Sequence, residues 1–425
     1  MANKNNPDWL KLDNAAKYFP SSSNKRDTKV FRFACELKDE VDKDILQEAV
    51  LLNLEKFPMY KSVLKRGVFW YYLETSDIVP IVEKENLPVC AQLYEKDKDN
   101  LLFRVSYYHK RINLEVYHSL SDGAGALEFL RGLVSEYLLL KYPDKFKKVK
   151  IDLNYNASMQ DKIDDSFKKY YDNKGKKKKV KLRKAHILKG QKYGERRLEV
   201  IEGIMSTSEM LALSKKYNTT VTVLVAAIFM KAINEDMSIR AKKKPVVLTI
   251  PVNLRQFFKS TTTRNFFGVF NVGYDFKNYS DDLEVVIAYL SNFFKERLGY
   301  DEMSAVINSY VALEENFILR GIPLFIKNIV LWLANKWTDT TITAALSNLG
   351  RITMPKEFDD YINLFDVFVS TNKMQICMNS YNDNMVISFT SSFINTNIQK
   401  RFFDILTELG IKTTVASNID MGDDN

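Results

Sequence analysis

The residues best placed to do chemistry lie in one short run, His118-Ser-Leu-Ser-Asp122-Gly123. Imidazole is the one side chain whose unperturbed pKa lies near neutrality, so histidine is the usual acceptor of a proton from an alcohol or amine. The chain has only three histidines, at positions 109, 118 and 186. His109 falls in a polar turn between two strand-like runs and His186 in a lysine-rich stretch, so both are expected to be exposed and structural. A lone histidine at a strand end is commonly just hydrogen-bonded. The spacing to Asp122-Gly123 is what makes His118 a candidate general base. Other chemistries lack their residues: there is no GxSxG elbow, no HExxH and no GxxxxGK[ST]. The three cysteines, Cys35, Cys90 and Cys377, are scattered without a CxxC pair, so neither a zinc site nor a disulfide framework is expected.

Two strands and a helix must position that histidine. Leu101–Tyr108 and Ile112–His118 read as a hairpin about the polar turn His109-Lys-Arg111. The second strand alternates Ile112, Leu114 and Val116 with Asn113 and Glu115, as a half-buried strand should. The strand stops at Ser119, and helical spacing begins with Leu127, Leu130, Val134 and Leu138. Ser121 or Asp122 would cap that helix, and Pro143 follows its end. His118 therefore sits where a strand hands over to a helix, a position that commonly faces a cleft. Elsewhere, helices are expected over Val41–Phe57, Ser206–Tyr217, Val221–Ile233, Asp281–Leu298 and Gln399–Leu409. Ser206 and Glu209 have the spacing of a capping box. Strands are expected at Gly67–Leu73, Arg197–Ile201, Pro245–Pro251, Thr341–Leu346, Asn363–Val369, Met374–Ser380 and Met385–Thr390.

A chain of 425 residues exceeds one comfortable core, so two units are expected. Residues 1–150 read as one α/β unit, 151–190 as a basic bridge and 191–425 as a second unit. With 46% apolar and 27% charged residues the composition is that of a globular protein. The formal charge is +9, yet its excess is local: eight basic residues and no acidic one lie between Lys174 and Lys184. The run lacks interleaved aromatics, so it reads as a solvated loop rather than a nucleic-acid site, with an anionic cofactor or acidic carrier protein as the other possible partner. The N-terminus lacks a signal-like apolar segment, which points to a cytoplasmic protein. Ile322–Trp337 falls short of the roughly 20 apolar residues of a membrane span, and a buried helix is expected there rather than a membrane-surface one.

The run His118-x-x-x-Asp122-Gly123 resembles the HxxxDG signature of the chloramphenicol-acetyltransferase-like superfamily, which includes alcohol acetyltransferases, plant acyltransferases and peptide-synthetase condensation domains. Leu12–Pro20, Phe57-Pro58, Gly67–Trp70, Pro251-Val-Asn-Leu-Arg255, Asn265-Phe-Phe-Gly268 and Ser347-Asn-Leu-Gly350 are similar to segments of its bacterial alcohol-acetyltransferase-like branch. Condensation domains usually carry HHxxxDG, where this chain has Tyr117, and the plant enzymes' DFGWG is missing. The resemblance implies two α/β subdomains, each a mixed sheet with flanking helices, and an active-site tunnel between them. It implies that His118 deprotonates an acceptor hydroxyl or amine, which attacks an acyl thioester. No permanent cofactor and no metal are then expected, with acyl-CoA as co-substrate. By the same resemblance Asp122 pairs with an arginine, Arg255 being the candidate, and Gly123 allows a tight strand-to-helix turn. Ser347, Asn348 and Asn265 become candidate oxyanion or substrate contacts, although Asn348–Gly350 also reads as a plain turn.

Three functions follow. The first is acyl transfer from acyl-CoA to a small or lipophilic alcohol or amine. The second is transfer from an acyl carrier protein, as in condensation domains. The third is a binding protein that has kept the fold and lost catalysis.

Overall fold

A computed structural model of the chain describes residues 9–147, 153, 157–175, 183–194 and 197–419. Most of the basic run 174–184 lies outside these. In chain order the strands are β1 (Trp9–Lys11), β2 (Val30–Leu37), β3 (Ser62–Arg66), β4 (Tyr71–Thr75), β5 (Glu83–Lys84), β6 (Phe103–Tyr108) and β7 (Arg111–Tyr117). There follow β8 (Glu199–Ser206), β9 (Val246–Asn253), β10 (Phe267–Tyr274), β11 (Ala344–Arg351), β12 (Ile362–Val369), β13 (Met374–Tyr381), β14 (Asn384–Ser391) and β15 (Thr414–Ser417). They form a small sheet β1-β4-β3 and two mixed sheets, β12-β2-β7-β6-β5 and β10-β9-β11-β13-β14-β8-β15. Helices flank both mixed sheets.

The histidine-bearing strand β7 lies inside its sheet, paired antiparallel to β2 and β6. Ile112, Leu114 and Val116 bury into the first core with the helices Lys43–Lys56 and Gly123–Lys141. The expectation of a half-buried strand is corrected here, because Asn113 and Glu115 on the other face are buried too. Burying a carboxylate requires partners. Glu115 accepts from Arg32 Nε at 2.9 Å and from the Cys90 amide at 2.7 Å, and is also paired with Arg104.

One strand of the second half completes the first sheet. β12 pairs antiparallel with β2, from Ile362↔Leu37 to Val369↔Phe31, and its Phe365 and Val367 join the first core. A second tie is ionic: Arg111 of β7 donates to both carboxylate oxygens of Glu202 on β8, at 2.7 and 2.9 Å. The larger sheet packs on the helices Val221–Asp236 and Asn397–Glu408, which are closed into the second core.

Three local readings change. Of Gly67–Leu73 only Tyr71–Leu73 is strand, the start of β4, while Gly67–Trp70 is the turn joining β3 to β4: the Gly67 amide donates to Trp70 O at 2.9 Å, leaving Val68 and Phe69 in solvent. The capping box at Ser206 is half made. Ser206 Oγ accepts from the Glu209 amide at 3.2 Å, while the Ser208 amide turns to Asp383 Oδ1 at 2.9 Å. The helix Leu324–Asp339 is not buried: Phe325, Ile329, Val330 and Leu333 are exposed. No helix among the described residues is long and apolar enough to cross a membrane.

Candidate active site

His118 follows β7 directly, and two distant segments hold its backbone. Its amide donates to Lys29 O at 2.9 Å and its carbonyl accepts from Asn265 Nδ2, also at 2.9 Å. The imidazole stacks on Phe19 with centroids 4.6 Å apart, and meets Phe31 at 4.8 Å and Phe267 at 5.9 Å. The residue keeps partial exposure, but Nδ1 is enclosed without a hydrogen-bond partner. Burial among these rings lowers its pKa to about 4, against the opposing pull of the Asp122 charge and the Asn265 side chain. The ring is neutral at pH 7, because desolvation disfavours its charged form.

Asp122 begins the helix Gly123–Lys141 and its carboxylate is fully engaged. Oδ1 accepts from the Gly125 amide at 2.9 Å, capping the helix. Oδ2 accepts from the Phe266 amide at 2.8 Å. Arg255 donates to Oδ2 at 2.8 Å and to Oδ1 at 3.2 Å, a two-pronged pair. Arg255 also donates to Thr262 O at 2.9 Å and Arg264 O at 2.7 Å. The arrangement clasps the His118 loop to the segment 255–266. It leaves Asp122 no lone pair aimed at the imidazole, so the pair is not the acid–histidine relay of a hydrolase triad. Ser119 and Ser121 are likewise committed: their hydroxyls donate to Ala16 O at 3.1 Å and to Thr263 O at 2.5 Å. Neither is a nucleophile hydrogen-bonded to the base.

The tight approach in this turn belongs to Gly125 rather than Gly123. Gly123 has no positive φ, and a Cβ there would meet only the flexible Leu349 Cδ2 at 3.0 Å. At Gly125 a Cβ would stand 2.5 Å from Ser121 Oγ and closer still to Thr263 O, so only glycine fits under the 255–266 segment.

The second half reaches the site through β11, which continues through Asn348–Gly350 as a bulged strand instead of ending in a turn. Its register separates the two candidate donors. Ser347 is level with Cys377, whose side chain packs into the first core beside the His118 strand. Asn348 is level with Met378, which faces the second core. Side chains of register partners share a face, so Ser347 and Leu349 point towards the His118 loop and Asn348 points away. Asn348 donates to Thr222 Oγ1 and accepts from the Gly350 amide, both at 2.7 Å.

Asn265 is bound rather than free for substrate. Its Nδ2 serves His118 O and Asp13 Oδ2, while its Oδ1 is enclosed without a partner, as is His118 Nδ1. Asp13, Phe19, Phe31, Thr263 and Gly125 were not singled out from the sequence. Asp13 accepts from Asn265 and from the Ala16 amide at 2.8 Å, and its pKa is raised by burial. The segment Leu12–Pro20 had been marked only as a resemblance, and nothing in it signalled that Phe19 would stack on the histidine.

With this geometry the chain has the chloramphenicol-acetyltransferase-like fold, related to that of condensation domains. No protein-family model and no curated protein sequence matches it. Solved structures do. Polyketide synthase associated protein 5 from Mycobacterium tuberculosis is 13% identical over 93% of this chain and 96% of its own, with a TM-score of 0.59. F. graminearum TRI101, complexed with coenzyme A and T-2 mycotoxin, is 9% identical over 95% and 99%, with a TM-score of 0.61. The first condensation domain of the CDA synthetase is 13% identical over 96% and 97%, with a TM-score of 0.57. The likeness extends over nearly the whole of each chain.

Proposed function

We propose that this chain transfers an acyl group from an acyl-CoA thioester to an alcohol or amine, with His118 as general base. The observation that carries the reading is a neutral, ring-flanked imidazole held from its backbone by a clasp that does not touch the ring. In the proposed step His118 Nε2 takes the acceptor's proton as its oxygen or nitrogen bonds to the thioester carbonyl carbon. The tetrahedral oxyanion then collapses, the C–S bond breaks, and the same proton passes to the leaving thiolate. No covalent enzyme intermediate is needed, which agrees with the committed hydroxyls of Ser119 and Ser121.

A pKa of about 4 makes His118 fully available but weakly basic. Proton transfer then accompanies bond formation rather than preceding it. The Asn265 side chain partly restores the basicity that burial removes from His118. Ser347, on the face of β11 that shares its side with Cys377, is the proposed donor to the oxyanion. The CoA complex of TRI101 favours acyl-CoA as donor. The condensation-domain neighbour keeps an acyl carrier protein as the second donor.

The test is thiol release from acetyl- and butyryl-CoA with pooled alcohols and amines, for wild type and His118→Ala, with folding checked by thermal melt. Acceptor-dependent release that disappears in the folded variant is the expected result. Equal release by both proteins removes His118 from the mechanism.

A further inference from the structure

The chain has four tryptophans, Trp9, Trp70, Trp332 and Trp337, and each is between 43 and 57% exposed. They belong to one surface. Trp332 and Trp337 lie on the helix Leu324–Asp339, whose apolar stripe also carries Phe325, Ile329, Val330 and Leu333. The start of that helix is bound to the β3–β4 turn: the Leu324 amide donates to Val68 O at 2.9 Å and Lys327 Nζ to Phe69 O at 3.1 Å. Trp70 stands in the same turn, under Lys11 Nζ at 5.5 Å, and Lys11 shares a strand face with Trp9 two residues before it. Isolated exposed apolar residues need no explanation, but a contiguous face of this size marks an interaction surface.

Its charge selects the partner. From Leu324 to Asp339 the helix holds two lysines and a single carboxylate, Asp339 at its C-terminal end, and Lys336 Nζ lies over the Trp332 ring at 5.3 Å. A second copy of the chain would bring lysines against lysines, which opposes self-association. Half-exposed tryptophans beside lysines, on a helix too short and polar to span, suit the headgroup level of a bilayer. The chain's net charge of +9 has the same sign preference.

We infer that this face docks on an anionic lipid bilayer, and that the acceptor is a lipid-soluble alcohol or amine drawn from it. The second clause rests on the acyl-transfer reading; the docking does not. Two contacts link the face to the histidine. Asn335, on the inner side of the helix, accepts from the Tyr18 hydroxyl, and the neighbouring Phe19 stacks on His118.

All four tryptophans report at once, so intrinsic fluorescence reads the docking directly. With full-length protein and vesicles of phosphatidylcholine containing about one third phosphatidylglycerol, emission shifts to shorter wavelength and the protein co-sediments. Partition onto pure phosphatidylcholine is weaker. The double variant Val330→Asp/Leu333→Asp, both at exposed positions, melts like wild type and partitions at least about tenfold more weakly. Lys336→Glu loses affinity for the anionic vesicles only. Absence of a shift and of co-sedimentation with either vesicle overturns the inference. So does a wild-type dimer that the double variant converts to monomer. Equal partition onto the two compositions overturns the choice of an anionic surface. His118→Ala binds vesicles like wild type. If it also keeps its turnover, the acyl-transfer reading fails while the docking stands.

Discussion

Replacing Asp122 by alanine tests whether the residue supports the site or takes part in the chemistry. The substitution removes the acceptor of two Arg255 donors, of the Gly125 amide and of the Phe266 amide. Arg255 stays largely buried and keeps only neutral acceptors, Asn253 Oδ1 and the carbonyls of residues 262, 264 and 266. Breaking a buried pair in this way costs about 3–5 kcal/mol, because a charge is left uncompensated. At about 2 cal/mol/K of unfolding entropy per residue, a cooperative chain of this length has roughly 0.9 kcal/mol/K, so Tm falls by about 3–6 °C. The assay is a double-mutant cycle by calorimetry, with Asp122→Ala, Arg255→Met and both together. A coupling of about 2 kcal/mol or more between the two sites is expected. Thiol release should fall in proportion to the loss of ordered His118 and recover partly at low temperature. An unchanged Tm with abolished release would refute the reasoning, since it would make Asp122 a participant in proton transfer.

Three further expectations concern the same site. His118 has its pKa lowered to about 4 in the folded chain, so between pH 6.5 and 4 the unfolded chain binds more protons. Its stabilising contribution is complete above pH 6.5 and is lost as pH falls towards 4, up to about 3 kcal/mol; kcat/KM should accordingly keep its acid limb near pH 4, and a limb near 6.5 would contradict a buried base. Gly125→Ala should cost about 3 kcal/mol through overpacking against Thr263, while Gly123→Ala, facing only a flexible leucine, costs under about 1 kcal/mol by denaturant melts. Ser347→Ala should lower kcat by about 10²–10³ at unchanged Tm if its hydroxyl meets the oxyanion, and Asn348→Ala, turned to the other face, should leave kcat within about threefold; the reverse ranking would exchange their roles.

The strand-to-helix turn at His118 was legible because its signals are local: alternation in Ile112–Val116, a capping aspartate and helical spacing after it. The fold class was legible for the same reason, as motif and element order coincide. What was not legible depends on partners far along the chain. β2 reads Val30-Phe-Arg-Phe-Ala-Cys-Glu-Leu37, and its two charged residues obscure a strand that is buried on both faces. Arg32 is tolerated there only because Glu115 and Glu85 meet it from other segments. The necessity of glycine at 125 arises from Thr263, more than a hundred residues away. The turn at Gly67 was hidden by aromatics, which favour strands when half-buried but here lie in solvent. The helix Leu324–Asp339 was misjudged for a related reason, since apolar periodicity gives a face and not what covers it.

The insertion of β12 beside β2 sets the order in which the protein can be made. β2 emerges from the ribosome about 325 residues ahead of the strand that completes its edge. At 5–20 residues per second that interval is roughly 15–65 s. Through it the nascent first half presents an unpaired strand edge and a core still lacking Phe365 and Val367. Exposed edges of that kind recruit foreign strands. A fragment stopped at residue 150 would lack β12 and leave that edge of β2 unpaired. Pairing strands so far apart in sequence favours slow folding, because the loop must close before the contact is gained.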